Sequence, residues 1–249
     1  MDFRVVIPVR YASTRFPGKA LADLAGQPVI QHVYRRAQES GAREILIATD
    51  DQRIADVAQA FGAEVIMTST EHVSGTDRIA AVLGQRGWPE DDIVVNVQGD
   101  APLIPGRSIT QVATLLAGHR SAAMATLCVP LADEAEYCDP NVVKVIFDET
   151  GRALYFSRAS IPARTRNHQG VPSAWRHIGL YAYRVDALKT LASVGPCMLE
   201  QTEQLEQLRA LWHGLEIRVG IAAEALGPDV DTPEDLAAAA EFIARQPAS

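Results

Sequence analysis

The residues best suited to chemistry begin with a cluster of cations. Arg10, Arg15 and Lys19 lie in the stretch RYASTRFPGK together with Ser13, Thr14 and Gly18. Cations combined with hydroxyls and a glycine can wrap a triphosphate through charge-assisted hydrogen bonds and backbone N–H groups. The stretch matches neither GxGxxG nor GxxxxGK followed by Ser or Thr, so neither a dinucleotide fingerprint nor a Walker A loop is indicated. A solvated basic loop has the same composition, and spacing does not separate the two. A second place is QGDAP, where Asp100 follows the apolar run IVVNV directly. A lone carboxylate there suits Mg²⁺, a hard cation that commonly takes one or two protein carboxylates and substrate phosphates. A turn aspartate is the competing reading. Asp231 in VDTPEDL is a second candidate ligand if a C-terminal strand returns beside the fifth; it also suits the dipole of the helix that follows.

Other polar residues carry weaker signals. His177, inside HIGLYAYR, reads as a hydrogen-bonded core histidine. Glu206 and Gln207 fall on the polar side of an amphipathic helix whose apolar face holds Leu205, Leu208, Leu211 and Trp212, which predicts exposure. Arg158 and Arg164 flank a loop of mixed polarity.

These residues need elements to hold them. FRVVIPV (3–9) is a β-branched run that reads as a buried strand feeding the basic loop. PVIQHVYRRAQESG follows as a helix with Ile30, Val33, Tyr34 and Ala37 on one face, Pro28 at its first turn and Gly41 at its end. Strand, loop and helix then recur: EILIAT, a helix with Ile54, Val57, Ala58 and Phe61, EVIM, a helix from SGTDR onward with Ile79, Val82 and Leu83, and IVVNV. Such repetition predicts an open, mostly parallel sheet with right-handed crossovers, helices on both faces and ligands at the carboxyl ends of the strands. After AAMATLCVP the pattern changes. VVKVIFDETGRALYFS reads as an antiparallel hairpin with a DETG turn, so the sheet is expected to be mixed. Thr232, Pro233 and Asp235 predict a capped start for the last helix.

Composition sets the outer bounds. The 249 residues carry 23 Lys+Arg against 31 Asp+Glu, a net charge of −8, which argues against a general nucleic-acid-binding surface. The hydrophobic share of 47% and charged share of 22% are globular, and this length supports a core without staples. Cys128, Cys138 and Cys197 form no CxxC pair, which predicts reduced thiols. The charged N-terminal run reads as neither signal peptide nor anchor, and no segment approaches the roughly 20 apolar residues of a membrane span. The expectation is one cytoplasmic domain over 1–249 with a distinct region at 131–215.

Taken in order along nearly the whole chain, IPVRYASTRFPGK, SGTDR, VNVQGDAPLIP, PNVVKVI, ALYFSRASIP, RHIGLYAYR, LEQLRALWHG and VDTPEDL resemble the 3-deoxy-manno-octulosonate (Kdo) cytidylyltransferases, the CMP-Kdo synthetases. The resemblance implies a three-layer α/β fold of the nucleotide-diphospho-sugar transferase type, with a smaller antiparallel region for sugar binding and dimerisation. It implies a Mg²⁺-dependent, homodimeric enzyme that joins CTP and Kdo into CMP-Kdo and pyrophosphate for lipopolysaccharide synthesis. Matched by residue, Arg10, Arg15 and Lys19 resemble the triphosphate-binding cations, with Pro8, Ser74, Arg78 and Gln98 lining the nucleotide. Asp100 and Asp231 resemble the metal ligands, and Arg158, Arg164, His177, Glu206 and Gln207 the sugar contacts. The implied chemistry is in-line attack of the anomeric hydroxyl on the α-phosphorus, with Arg10, Arg15, Lys19 and Asp100 as the catalytic set. Two departures stand out: the family's QGDEP is QGDAP here, and the aromatic residue after SRxxIP is Ala163. Two alternatives stay open, an enzyme for a related acidic ketose such as 8-amino-Kdo and a nucleotide-binding homologue without catalysis.

Overall fold

The computed structural model describes every residue except Thr14, Val73, 165–172 and 246–249. The first half is built as strand, loop and helix in alternation. It runs β1 (Arg4–Val9), the short hairpin β2 (Asp23–Leu24) and β3 (Gln27–Pro28), α1 (Val29–Glu39), β4 (Glu44–Thr49), α2 (Gln52–Ala60), β5 (Glu64–Met67), α3 (Gly75–Arg86), β6 (Ile93–Asn96) and α4 (Gly106–Ala117). The second half holds β7 (Met124–Pro130), α5 (Glu134–Cys138), β8 (Lys144–Phe147), β9 (Ala153–Ser157), β10 (Trp175–Arg184), α6 (Val185–Ser193), α7 (Met198–Glu203), α8 (Gln207–Trp212), β11 (Ile217–Ile221) and α9 (Pro233–Arg245).

One sheet organises these elements in the order β11-β7-β10-β6-β1-β4-β5. β1 is parallel to β4 and β6, β4 to β5, and β11 to β7. β10 lies antiparallel between β6 and β7, so the sheet is mixed, as expected from the change of pattern after the fifth strand. β1 is buried along its whole length, because successive side chains of a central strand meet a layer on each face. Val5 and Ile7 pack with Ile30 and Val33 of α1, Ile54 of α2 and Ile109 of α4. Val6 points the other way, against Ile79 and Val82 of α3, Leu188 of α6 and Leu208 of α8. Each such aliphatic side chain contributes about 1.5–3 kcal/mol by leaving water. The result is a three-layer α/β fold.

The hairpin β8–β9 turns at DETG, where Asp148 Oδ1 accepts from the N–H groups of Thr150 and Arg152. β8 also pairs with the start of β10, which ties the small antiparallel region to the main sheet. The last helix starts as its sequence predicts. Asp235 N–H donates to Thr232 Oγ1 at 3.2 Å, and Thr232 N–H to Asp235 Oδ2 at 2.9 Å.

The C-terminal strand returns beside the fifth strand of the sequence, β11 pairing in parallel with β7 at the far edge of the sheet. Asp231 is not on that strand: an extended segment after β11 crosses back toward β6, anchored where Val230 N–H donates to the Asp100 carbonyl at 2.8 Å. The exposure expected around α8 is corrected in part: Glu206, at its cap, is exposed as expected, but Gln207, Leu208, Arg209 and Ala210 are all buried, while Trp212 at its end is 52% exposed. A helix that enters the core end-on buries its first turn on every side, so an amphipathic reading misassigns both ends.

Candidate active site

The carboxyl ends of β1 and β6 open onto a cleft. The loops leaving them touch because Gly99 lacks a side chain: a Cβ there would stand 2.9 Å from Val9 Cβ and 3.1 Å from the Pro8 carbonyl. Two cavities meet in this cleft, of about 380 Å³ and about 600 Å³. Gly75, Gln98 and Glu206 line both. The smaller cavity gathers Pro8, Arg10, Arg15, Lys19, Ser74, Arg78, Gln98, Asp100 and Asp231. Every residue expected on the nucleotide side or as a metal ligand thus lies on one wall. Thr14 lies outside the described residues.

Lys19 is the electrostatic centre of this wall. Its Nζ donates to Asp100 Oδ2 at 2.5 Å and to Asp231 Oδ1 at 2.8 Å. Burial works to lower the Lys19 pKa, but its attraction and hydrogen bonds to Asp100 and Asp231 outweigh that and raise it. Asp231 shows the mirror image: burial works upward, while Lys19 and Arg15 hold the carboxyl below its ordinary value. Arg15 reaches Asp231 Oδ2 at 2.9 Å with a side chain 65% exposed. Two carboxylates from distant parts of the chain therefore face one point, where an ammonium stands. Hard oxygen donors converging on a cationic position fit Mg²⁺, which needs few protein ligands because phosphates and water complete its shell. Among the described residues no group of three or more His, Cys, Asp or Glu could hold a metal, so the fit is to a cation that shares its shell with substrate.

The other nucleotide-side residues divide. Arg10 is exposed on the wall. Arg78 is buried, its guanidinium bonded to Asp50 Oδ2 at 2.7 Å and to Thr68 Oγ1, which ties the ends of β4 and β5 to α3. Ser74 caps α3, its hydroxyl accepting from Asp77 N–H at 3.1 Å.

The larger cavity contains His177, Glu206 and Gln207. The Glu206 carboxylate accepts from Thr76 Oγ1 at 2.7 Å, and burial raises its pKa. Burial pushes His177 down to about 3, so it is neutral. Its Nε2 lies 3.0 Å from Thr126 Oγ1, whose single proton goes to the Ile178 or Leu180 carbonyl. His177 is therefore the donor, with Nε2 protonated. The two arginines expected on the sugar side do not line either cavity. Arg158 is held by the carbonyls of Glu203, Gln204 and Pro140, bracing the rim from behind. Arg164 pairs with Glu134 at 2.9 Å and lies over the Tyr137 ring.

Comparison with known proteins decides what this cleft belongs to. A cytidylyltransferase family model matches residues 4–217. The 3-deoxy-manno-octulosonate cytidylyltransferase of Thioalkalivibrio sulfidiphilus is 54% identical over 95% of this chain and 96% of its own length. That of Vibrio cholerae serotype O1 is 53% identical over 99% of each. The chain belongs to the 3-deoxy-manno-octulosonate cytidylyltransferase family. A solved structure of CMP:2-keto-3-deoxy-manno-octonic acid synthetase in complex with CTP superposes with a TM-score of 0.89 at 41% identity, covering 98% of both chains. A cytidylyltransferase structure from Leptospira borgpetersenii, 15% identical, covers 99% of this chain and 88% of its own with a TM-score of 0.64, a likeness of fold alone.

Two residues of this cytidylyltransferase site were not singled out by sequence. Asp229 lines the larger cavity, and burial, followed by repulsion from Asp100 and Asp231, pushes it up to about 7. Its signal was the spacing PDVDT, an acid two positions before Asp231. Arg176 lines the same cavity with its Nη1 on Glu136 Oε1 at 2.8 Å. It directly precedes His177, where alternation along a regular strand would send the two to opposite faces. Both nevertheless line the larger cavity, although the pairing with β7 is regular across them and shifts only between Ile178 and Tyr181.

Proposed function

We propose that this chain transfers the cytidylyl group of CTP to Kdo, giving CMP-Kdo and pyrophosphate. The observation that carries the reading is the convergence of Asp100 and Asp231 on Lys19 where two cavities meet, in a chain 53–54% identical to cytidylyltransferases named for this sugar. In this reading the smaller cavity takes CTP and the larger takes Kdo. The anomeric oxygen of Kdo forms a bond to the α-phosphorus as the bond to the β-phosphate oxygen breaks, and the hydroxyl proton is released.

Each residue group then has a task. Arg10 and Arg15, both solvent-exposed on the nucleotide wall, meet the triphosphate and the leaving pyrophosphate. Lys19 stays fixed by its carboxylates and offsets the charge that develops at the reacting phosphate. Magnesium, held by Asp100 and Asp231, would neutralise and orient phosphate oxygens. Glu206 and Gln207 present hydrogen-bonding groups to the sugar, and neutral His177 adds no charge to that wall. Held at the junction near Gln98, the two substrates react as neighbours rather than by collision.

The reading also takes a homodimer as the assembly, the cytoplasm as the location and lipopolysaccharide synthesis as the use of the product. Among the described residues no helix is long and apolar enough to cross a membrane. Pyrophosphate release tests the proposal: CTP with Kdo and Mg²⁺ is expected to give the highest turnover in a panel including UTP and 8-amino-Kdo. Absence of pyrophosphate with CTP and Kdo overturns it, and preference for 8-amino-Kdo reassigns the acceptor.

A further inference from the structure

We infer that Arg176 binds the carboxylate of the acceptor sugar, which makes it the residue that selects acidic acceptors; this rests on the function proposed above. An α-keto acid sugar carries its carboxylate on the carbon next to the attacking hydroxyl, so that charge must settle in the larger cavity, close to the junction. The wall there is hostile to it, because Glu206 and Asp229 both line the cavity. An anion entering such a wall needs a cation with donors to offer.

Among the described residues two cations line the larger cavity, Arg176 and Arg209. Arg209 is engaged: it grips Glu200 at 2.5 and 2.8 Å and donates to the Leu191 carbonyl at 3.1 Å, with a side chain only 9% exposed. Arg176 differs. Its ion pair uses Nη1 alone, and its side chain is 37% exposed to the cavity. A guanidinium carries five N–H donors in a planar fork that matches a carboxylate. Glu136 is itself fixed, because its Oε2 accepts from Ala132 N–H at 2.9 Å. The arginine is therefore aimed before substrate arrives, and among the described residues Nη2 and Nε have no partner, which leaves them for a second carboxylate.

Position supports the same role. Arg176 and Asp229 line the larger cavity, whereas Asp100 and Asp231 line the smaller one that joins it. The guanidinium thus stands on the sugar side of the carboxylates that face Lys19. Arg158 and Arg164, the arginines expected to meet the sugar, are held outside the cavity by carbonyls and by Glu134.

The experiment compares Kdo with its neutral C1 carboxamide as acceptors at saturating CTP. Wild-type protein is expected to favour Kdo by about 10- to 100-fold in kcat/KM, the range of a charge-assisted contact. Arg176→Gln is expected to bring that ratio close to one with the KM for CTP unchanged. A merely structural role would weaken both acceptors equally and keep the ratio, and that result overturns the inference. So does a wild-type enzyme that does not discriminate. CTP-dependent thermal stabilisation checks that the variant is folded. If it is not, Arg176→Lys carries the test, a ratio reduced at least threefold supporting the inference and an unchanged ratio overturning it. A wild-type protein inactive with Kdo overturns the functional reading itself, which separates the two failures.

Discussion

Lys19 Nζ stands 2.8 Å from Asp231 Oδ1 although 212 positions separate the two residues. The same nitrogen is 2.5 Å from Asp100 Oδ2, so one ammonium closes the first loop, the end of β6 and the C-terminal crossing segment onto a single point. In an acidic chain this is how a polyanion site is prepared. Asp100 and Asp231 hold the Lys19 ammonium in place, and Asp231 also holds Arg15.

Replacing Lys19 with Met is therefore expected to have two effects. Turnover falls by about 10²- to 10³-fold, the loss typical of one preorganised charge at a developing anion. The Asp100–Asp231 pair, left with only the exposed Arg15 on Asp231, then repels itself, so the variant is expected to melt lower without metal and to gain more from Mg²⁺ than the wild type. Thermal unfolding across a magnesium titration reads the second effect, and parallel shifts in both proteins would contradict it. Asp100→Asn should reduce turnover as severely while leaving the fold intact.

The crossing segment depends on close packing that only glycine permits. A Cβ on Gly227 would collide with Leu103 Cβ. Gly227→Ala is expected to destabilise by about 1–3 kcal/mol, as overpacking does. It is also expected to raise the KM for Mg²⁺, because the displaced segment carries Asp231. Adding Leu103→Ala should recover metal affinity. Urea unfolding and magnesium-dependent rates check both parts, and a double variant no better than the single one would argue against the clash.

The parallel strands, the basic loop and the acid after β6 were legible because each is local: a β-branched run, a charge cluster, a turn at a strand end. The meeting of Lys19 with Asp231 was not, since it depends on β11 joining the far edge of the sheet and the chain then doubling back. Gln207 and Trp212 misled for a related reason. Periodicity reports which face of a helix is apolar, and α8 is buried by turn rather than by face. Arg176 was hidden because the period-2 rule sets it on the opposite face from His177, and sequence does not show that the larger cavity reaches both.

The buried pair Glu200–Arg209 fixes the start of α8, which carries Gln207 to the cavity. Both side chains are 9% exposed. Removing one partner leaves the other charged and dry, so Arg209→Met is expected to cost about 3–5 kcal/mol. Glu200 also accepts from Cys197 N–H at 3.3 Å in the cap of α7, a bond that Gln can keep. Glu200→Gln with Arg209→Met should therefore recover part of the loss. Denaturant midpoints of the wild type and the two variants decide it, and a double variant as unstable as Arg209→Met would show that the orphaned charge is not the cause.

His177 gives the fold a pH dependence of definite sign. Burial pushes it from 6.5 down to about 3. The unfolded chain therefore holds a proton that the native state refuses between those values, and stability rises with pH wherever the unfolded state binds more protons. The contribution is fully present above about pH 6.5 and is lost as pH falls toward about 3. His177→Gln can still donate to Thr126 Oγ1 but does not titrate. The variant should be less stable than wild type at pH 7 through poorer packing with Phe156, whose ring centroid lies 5.1 Å from the imidazole. By pH 4 the gap should narrow or reverse, because the wild type alone loses stability on acidification at this site. Urea unfolding at pH 7, 5.5 and 4 measures it, and a gap that stays constant would show that His177 does not govern the acid limb.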